Sequence, residues 1–286
     1  MTDARLVWDI WRRILTNDQL VERVLHPGDS GAGEATGLTA GEVAIVADYA
    51  STPAATETNI GMYRRGLVRN TLAALSLVPL TRRLLYVSEL DVEVVAADFV
   101  QFTGYSDDGP NFWRIAGGFV AHLAKLPEFA ARVRQDVFAL DAAAVALARR
   151  LGESAPAIWP ESAASAAAAV GPRAGRQSAR FVASRAAVVA SSSYDLTPWI
   201  EDPQDFDADE ELEPSSRHWL ISFPAADAAH EYAELSERAA RAFNLLAAPR
   251  TAAEVSLALD GLPAAEVLEV IDSLAELGVV AREGDV

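Results

Sequence analysis

Residues able to do chemistry are sparse in this chain: four histidines, no cysteine, and 41 carboxylates spread over 286 positions. A multinuclear metal centre needs several histidines and carboxylates converging on one point. His26, His122, His218 and His230 each stand alone in their segments, without a His-x-His or His-x-x-x-His pair. His218 and His230 flank a predicted hairpin and can approach across it, although a surface or hydrogen-bonded histidine is the plainer account of each. The lack of cysteine removes thiol catalysis, disulfides and thiolate metal sites. Gly28, Gly31 and Gly33 follow no strand, so they make no dinucleotide fingerprint, and neither a G-x-S-x-G elbow nor a phosphate loop occurs. Asp107 and Asp108 are adjacent carboxylates that the turn Asp107-Asp108-Gly109-Pro110 explains. The expectation is a binding protein with no catalytic residue, metal ligand or cofactor of its own.

Charge narrows the partners. The formal net charge is −17, and phosphate binding needs a basic face, so nucleic acid is not an expected partner. From Ser178 onward 7 Arg and no Lys stand against 21 Asp and Glu, so −14 of that charge lies in this segment. Two stretches of such different charge are expected to be two domains. Apolar runs are broken by charges well before the roughly 18 residues a membrane span requires. The opening MTDARLVWDIWRR has no basic flank leading into an apolar run, so it is not a secretory signal, and a cytoplasmic location is expected.

The elements that must position any site are mostly helices. Leu6, Ile10, Ile14 and Leu15, with Trp8 and Trp11, fall at helical spacing. His26 to Gly37 is a glycine-rich loop, and Thr39-Ala40-Gly41-Glu42 is a capping box. Pro53 is placed to open a helix running through Tyr63 and Leu67 to Leu77, Pro79 opens a shorter one, and Asp91 begins another. Helices over 111–126 and 128–151 complete an all-helical domain at 1–151. Residues 152–177, with Pro156, Pro160, Pro172 and an alanine-serine run, are a linker. Beyond it, 178–286 reads as three strands and three helices. The strands are Arg180 to Ser191, Trp219 to Phe223 and Glu231 to Leu235. An acidic run, Asp205 to Glu213, separates the first two. The helices start at Ser236, at the Thr251/Glu254 capping box and at Pro263, the last stopping at Gly278. The fold class expected is mainly α with a small α+β part, the second domain being winged-helix-like.

Two resemblances follow from these segments. The short strand, Ser236 opening a helix with Phe243, Leu245 and Leu246, the RTAAEV turn-helix and the terminal LAELGVV are similar to the PqqD-like recognition domains of ribosomal peptide pathways. YRRGLVRNTLAAL followed by PLTRRLL, with DFVQFTGYSDDGPNFWRIAGGFVAHL and ARFVASRAAVVASSSYDLTPWIEDP, resembles the HvfC/BufC-type partners of multinuclear non-heme iron oxidases, as in 3-thiaglutamate-type peptide pathways. The resemblance implies a non-catalytic subunit that binds a precursor peptide's leader and presents it to a separate iron oxidase, with the iron in that partner. That family is often described as DNA-binding, which the acidic balance argues against here. The alternatives are a winged-helix transcriptional regulator and a stand-alone enzyme. Against the regulator, Pro263 to Leu277 has no Lys or Arg and carries Glu266, Glu269, Asp272 and Glu276.

In PqqD-like domains the leader adds as a strand beside the third helix. The resemblance therefore implies that His230, Glu231, Tyr232, Ala233 and Glu234 receive the peptide, with Val267, Val270 and Ile271 lining its groove. By period two, His230, Tyr232 and Glu234 share one face of the strand, and Glu231, Ala233 and Leu235 the other. In the helical domain, Tyr63, Arg64, Arg65, Arg69, Asn70, Arg82 and Arg83 form the densest basic cluster. Internal ion pairs and docking of the oxidase or a peptide are its two readings.

Overall fold

Side-chain caps set the helix boundaries. The computed structural model describes residues 4–27, 37–102, 112–153, 178–201, 212–224 and 229–283. The Asp107–Pro110 turn lies outside the described residues, as do most of the glycine-rich loop, of the linker and of the acidic run. Both capping boxes form: Thr39 with Glu42, and Thr251 with Glu254, each exchanging hydrogen bonds in both directions. Pro53 does not open a helix. Thr56 does, its hydroxyl accepting from the Asn59 amide, and Pro53 sits in the turn before it.

The chain divides into two compact units, Met1–Ser76 with Glu89–His122, and Leu77–Ser88 with Leu123–Val286. The first holds α1 (Ala4–Thr16), α2 (Asp18–Leu25), α3 (Ala40–Ala50), α4 (Glu57–Ala74), α6 (Val92–Phe102) and α7 (Trp113–Leu123). Ile10, Ile14 and Leu15 of α1 pack with Leu20, Val21, Val24, Val46 and Ile60. Between α6 and α7, a Cβ on Gly118 would meet the Phe99 ring at 3.2 Å, so glycine permits this approach.

The second unit holds α5 (Pro79–Val87) and α8 (Arg132–Glu153), then, among the described residues, six strands and four more helices. This grouping differs from the sequence partition at residue 151. The physical reason is α8: its apolar stripe packs on strands β2 and β3 and on α5. The chain is mainly α with a small α+β part, as its periodicity implies, but the strand region is richer than three strands. Arg180 to Ser191 is two strands, β1 (Arg180–Ala183) and β2 (Ala187–Tyr194), broken where the Ser184 amide bonds to the Val279 carbonyl. Then come α9 (Thr197–Glu201), β3 (Pro214–Ser222), β4 (Glu231–Leu235) and α10 (Glu237–Leu245). The chain continues through β5 (Arg250–Thr251), α11 (Ala252–Ala258), α12 (Ala264–Glu276) and β6 (Val280–Arg282). Two antiparallel sheets result, in the orders β5-β1-β6 and β2-β3-β4. The second is covered on both faces. Ala187, Leu220, Ala233 and Leu235 belong to the core built with α10, α11 and α12, while α8 packs on β2 and β3 and reaches β4 through Tyr232.

Candidate functional site

Strand β4 ends the sheet. It pairs with β3 from Ser222↔Glu231 to His218↔Leu235, and no strand pairs with its other side among the described residues. Its outer backbone groups are thus available to a further strand. Ser236 then caps α10, its hydroxyl accepting from the Ala239 amide, which limits β4 to five residues.

The two faces of β4 have different surroundings, in the alternation the sequence implies. Ala233 and Leu235 join the three-helix core. Tyr232 turns the other way and meets α8. Its hydroxyl donates to Asp141 Oδ1 at 2.8 Å. Asp141 Oδ2 accepts from the Thr81 amide at 2.6 Å, in the first turn of α5. That contact supplies α5 with the N-terminal acceptor its own Val78 cannot offer. On the far side of the phenol, His230 Nε2 lies 2.9 Å from the Tyr232 oxygen, the rings meeting edge to face. A phenol has one proton and here it goes to Asp141, so the network assigns the His230 Nε2–H as donor to Tyr232.

Burial governs the charge states. Asp141 is fully buried, and this raises its carboxyl from 3.8 to about 6 against the opposing pull of the Thr81 amide and the Tyr232 hydroxyl. His230 is lowered by burial from 6.5 to about 4, so it is neutral across the physiological range. Burial, then the Asp141 charge, hold the Tyr232 phenol well above its ordinary value. At neutral pH the chain of groups is therefore carboxylate, phenol and neutral imidazole.

Helix α8 holds the opposite edge with a second carboxylate. Strand β2 has a bulge between Ser192 and Tyr194, and the amide this frees at Ser193 donates to Asp136 Oδ2 at 2.5 Å. Asp136 also pairs with Arg132 at 3.3 Å. Arg217 on β3 bridges Asp195 at 2.7 Å and Glu234 at 3.0 Å.

The structure sorts the predicted site residues. Glu231 and Glu234 are exposed along β4 and Ala233 is half-buried. Tyr232 is bonded to Asp141 of α8, and His230 lies against Tyr232 and Phe223, where a receiving face had been expected. On α12, Val267 and Ile271 are fully buried core residues and offer no surface to a ligand. The reason is that α12 is enclosed by α10, α11 and β6 and spends that stripe on the core. Val270 is half-buried and keeps accessible surface, flanked by exposed Glu266 and Glu269. His218 and His230 do not meet: His218 sits opposite Leu235 and bonds to Ser191 at 2.8 Å, whereas His230 precedes the other end of β4. No group of three His, Asp or Glu that could hold a metal occurs among the described residues.

The basic cluster separates. Tyr63, Arg64, Arg65, Arg69 and Asn70 lie on α4 in the first unit, Arg82 and Arg83 on α5 in the second. Arg64 is committed internally, to the Leu15 carbonyl at 2.8 Å and Asp18 at 2.6 Å. Arg82 lies over the Tyr86 ring.

Asp141 and Asp136 were not singled out by sequence reasoning. The available signal was a carboxylate within an apolar stripe, since Asp141 stands four residues from both Val137 and Val145, each buried. Comparison with protein-family models and with curated proteins found no match for the chain.

Proposed function

We propose that this chain is a non-catalytic subunit that takes the leader of a ribosomally made precursor peptide onto the outer edge of β4. In this reading it presents the peptide to a separate multinuclear non-heme iron oxidase, which carries the iron and modifies the peptide. The observation that supports the reading best is β4 itself, an edge strand with no partner strand on its outer side among the described residues. An extended peptide added there gains main-chain hydrogen bonds from a strand that needs no ordering. Asp141, holding Tyr232 from α8, keeps that strand in place. Exposed Glu231 favours a leader with a basic residue beside it, whereas Glu234 is already paired with Arg217.

The test combines co-purification with hydrogen exchange. The chain is co-expressed with a multinuclear non-heme iron oxidase from the same genome, and the complex is analysed for iron. The leader of a precursor peptide that this oxidase modifies is then added to the chain. Slowed exchange of the Glu231–Leu235 amides, with iron in the partner, is the expected result. Peptide binding that leaves these amides unprotected sinks the assignment of the edge; stoichiometric iron in the isolated chain sinks the accessory role.

A further inference from the structure

Helix α4 is a cationic element in a strongly acidic protein. Its eighteen residues contain one carboxylate, Glu57 at the first position, and three arginines. With Arg64 turned inward, Arg65 and Arg69 remain on the solvent side, four residues apart and therefore on one face. Both are exposed, and neither makes an ion pair among the described residues. Met62, 48 % exposed, precedes them on the same face, and Tyr63 beside it is 50 % exposed. Tyr63 meets the Trp11 ring of α1 edge to face at 5.4 Å, and one turn earlier on α1 Trp8 is 53 % exposed.

Aromatic residues, methionine and arginine are the types concentrated at the centres of protein–protein interfaces. Half-exposed Trp, Tyr and Met side chains leave apolar surface in water that a partner can cover. Charge selects among the possible occupants. A two-fold contact through this face would bring two patches of the same positive charge together. Nucleic acid needs many more cations than two arginines in a chain of net charge −17. A protein surface presenting carboxylates around an apolar centre meets neither objection.

We infer that the face carrying Trp8, Met62, Tyr63, Arg65 and Arg69 is the docking surface for the oxidase subunit, which contributes acidic residues to the contact. This rests on the presenting-subunit reading and adds to it where the partner docks and with what chemistry. The peptide-receiving edge of β4 and this face then serve different ligands.

The experiment measures affinity between the full chain and the purified oxidase by titration calorimetry at two salt concentrations. It compares wild type with R65E/R69E and with W8A/Y63A. All four side chains are exposed or half-exposed, and circular dichroism verifies that each variant is folded. The expected result is at least a tenfold loss of affinity in each variant, with a flatter salt dependence in R65E/R69E. Folded variants that bind the oxidase as wild type does overturn this inference while leaving the presenting role intact. Absence of any wild-type complex overturns both. Two further results also overturn it. One is a dimer of the isolated chain that R65E/R69E dissolves. The other is leader affinity that falls in R65E/R69E while oxidase affinity does not.

Discussion

Asp141 on α8 and Tyr232 on β4, 91 residues apart in the chain, share a 2.8 Å hydrogen bond in the interior of the second unit. With Asp136 at the β2 bulge, this bond makes α8 the element that holds both edge strands of the β2-β3-β4 sheet. Edge strands lack a neighbour on one side, so their position depends more on such side-chain ties than that of a central strand does. Strand β3, in the centre, has pairing on both sides and a buried Trp219 whose indole donates to Ser192.

Removing the phenol should cost more than one ordinary hydrogen bond. Tyr232→Phe leaves a buried carboxylate with one donor fewer and the His230 N–H without its acceptor. A group left without its partner costs about 1–3 kcal/mol where water cannot replace the lost bond, and Asp141, although it keeps the Thr81 amide, loses a charge-assisted bond as well. Urea unfolding at pH 7 is the measurement, with a loss of about 2 kcal/mol or more expected. A loss within about 0.5 kcal/mol, the range of a neutral surface change, would show that the network adds nothing to stability.

Asp141 and His230 make opposite contributions across one pH window. A carboxyl raised from 3.8 to about 6 lends stability that is full below pH 4 and lost as pH rises through 6. An imidazole lowered from 6.5 to about 4 lends stability that is full above pH 6.5 and lost as pH falls through 4. Each displacement corresponds to about 3 kcal/mol, so between pH 4 and 6.5 the two nearly cancel. Single substitutions should separate them. Asp141→Asn is expected to give stability that rises with pH across the window, and His230→Gln stability that falls. Melting temperatures collected from pH 4 to 7 decide it; parallel curves for the three proteins would refute the opposed pair.

The local features of the fold were legible and the non-local ones were not. Thr39/Glu42 and Thr251/Glu254 form the caps their spacing implies, because a capping box involves only four consecutive residues. Strand β4 runs over the Glu231–Leu235 that its composition suggests. Strands β5 and β6, two and three residues long, carry no local signal and exist by pairing with β1, about 70 to 100 residues away. The break between β1 and β2 has the same origin, since Ala183 and Ser184 bond to Leu246 and Val279 rather than to near neighbours. Within the site, alternation along β4 correctly divides its faces but is silent on what covers them. Tyr232 therefore reads as a ligand contact in sequence and is a half-buried tie to α8 in the structure.

The bulge in β2 offers a separate check on α8. Asp136 is 3 % exposed and takes the Ser193 amide that no ladder partner receives. Asp136→Ala leaves that amide unpaired, at an expected cost of about 1–3 kcal/mol. The local readout is amide exchange: Ser193 should exchange faster while the central strand residues Leu220 and Ile221 keep their protection. Unchanged Ser193 exchange would mean that the bulge is held by the strand alone.

Neighbouring residues of α12 should respond in opposite ways to a charge, which bears on how the peptide reading is tested. Ile271 is fully buried among Val267, Leu274 and Phe243 in the three-helix core. Ile271→Glu places a carboxylate there without a partner, and a loss above about 4 kcal/mol is expected. Peptide binding lost in that variant would report unfolding. Val270 is only half-buried at the margin of the same core, beside exposed Glu269. Val270→Glu lets its carboxylate reach water, so the protein should stay folded with a loss nearer 1 kcal/mol. Leader affinity measured on folded Val270→Glu therefore separates a groove on α12 from a purely structural helix. A drop of tenfold or more places α12 against the peptide, and unchanged affinity confines the contact to β4.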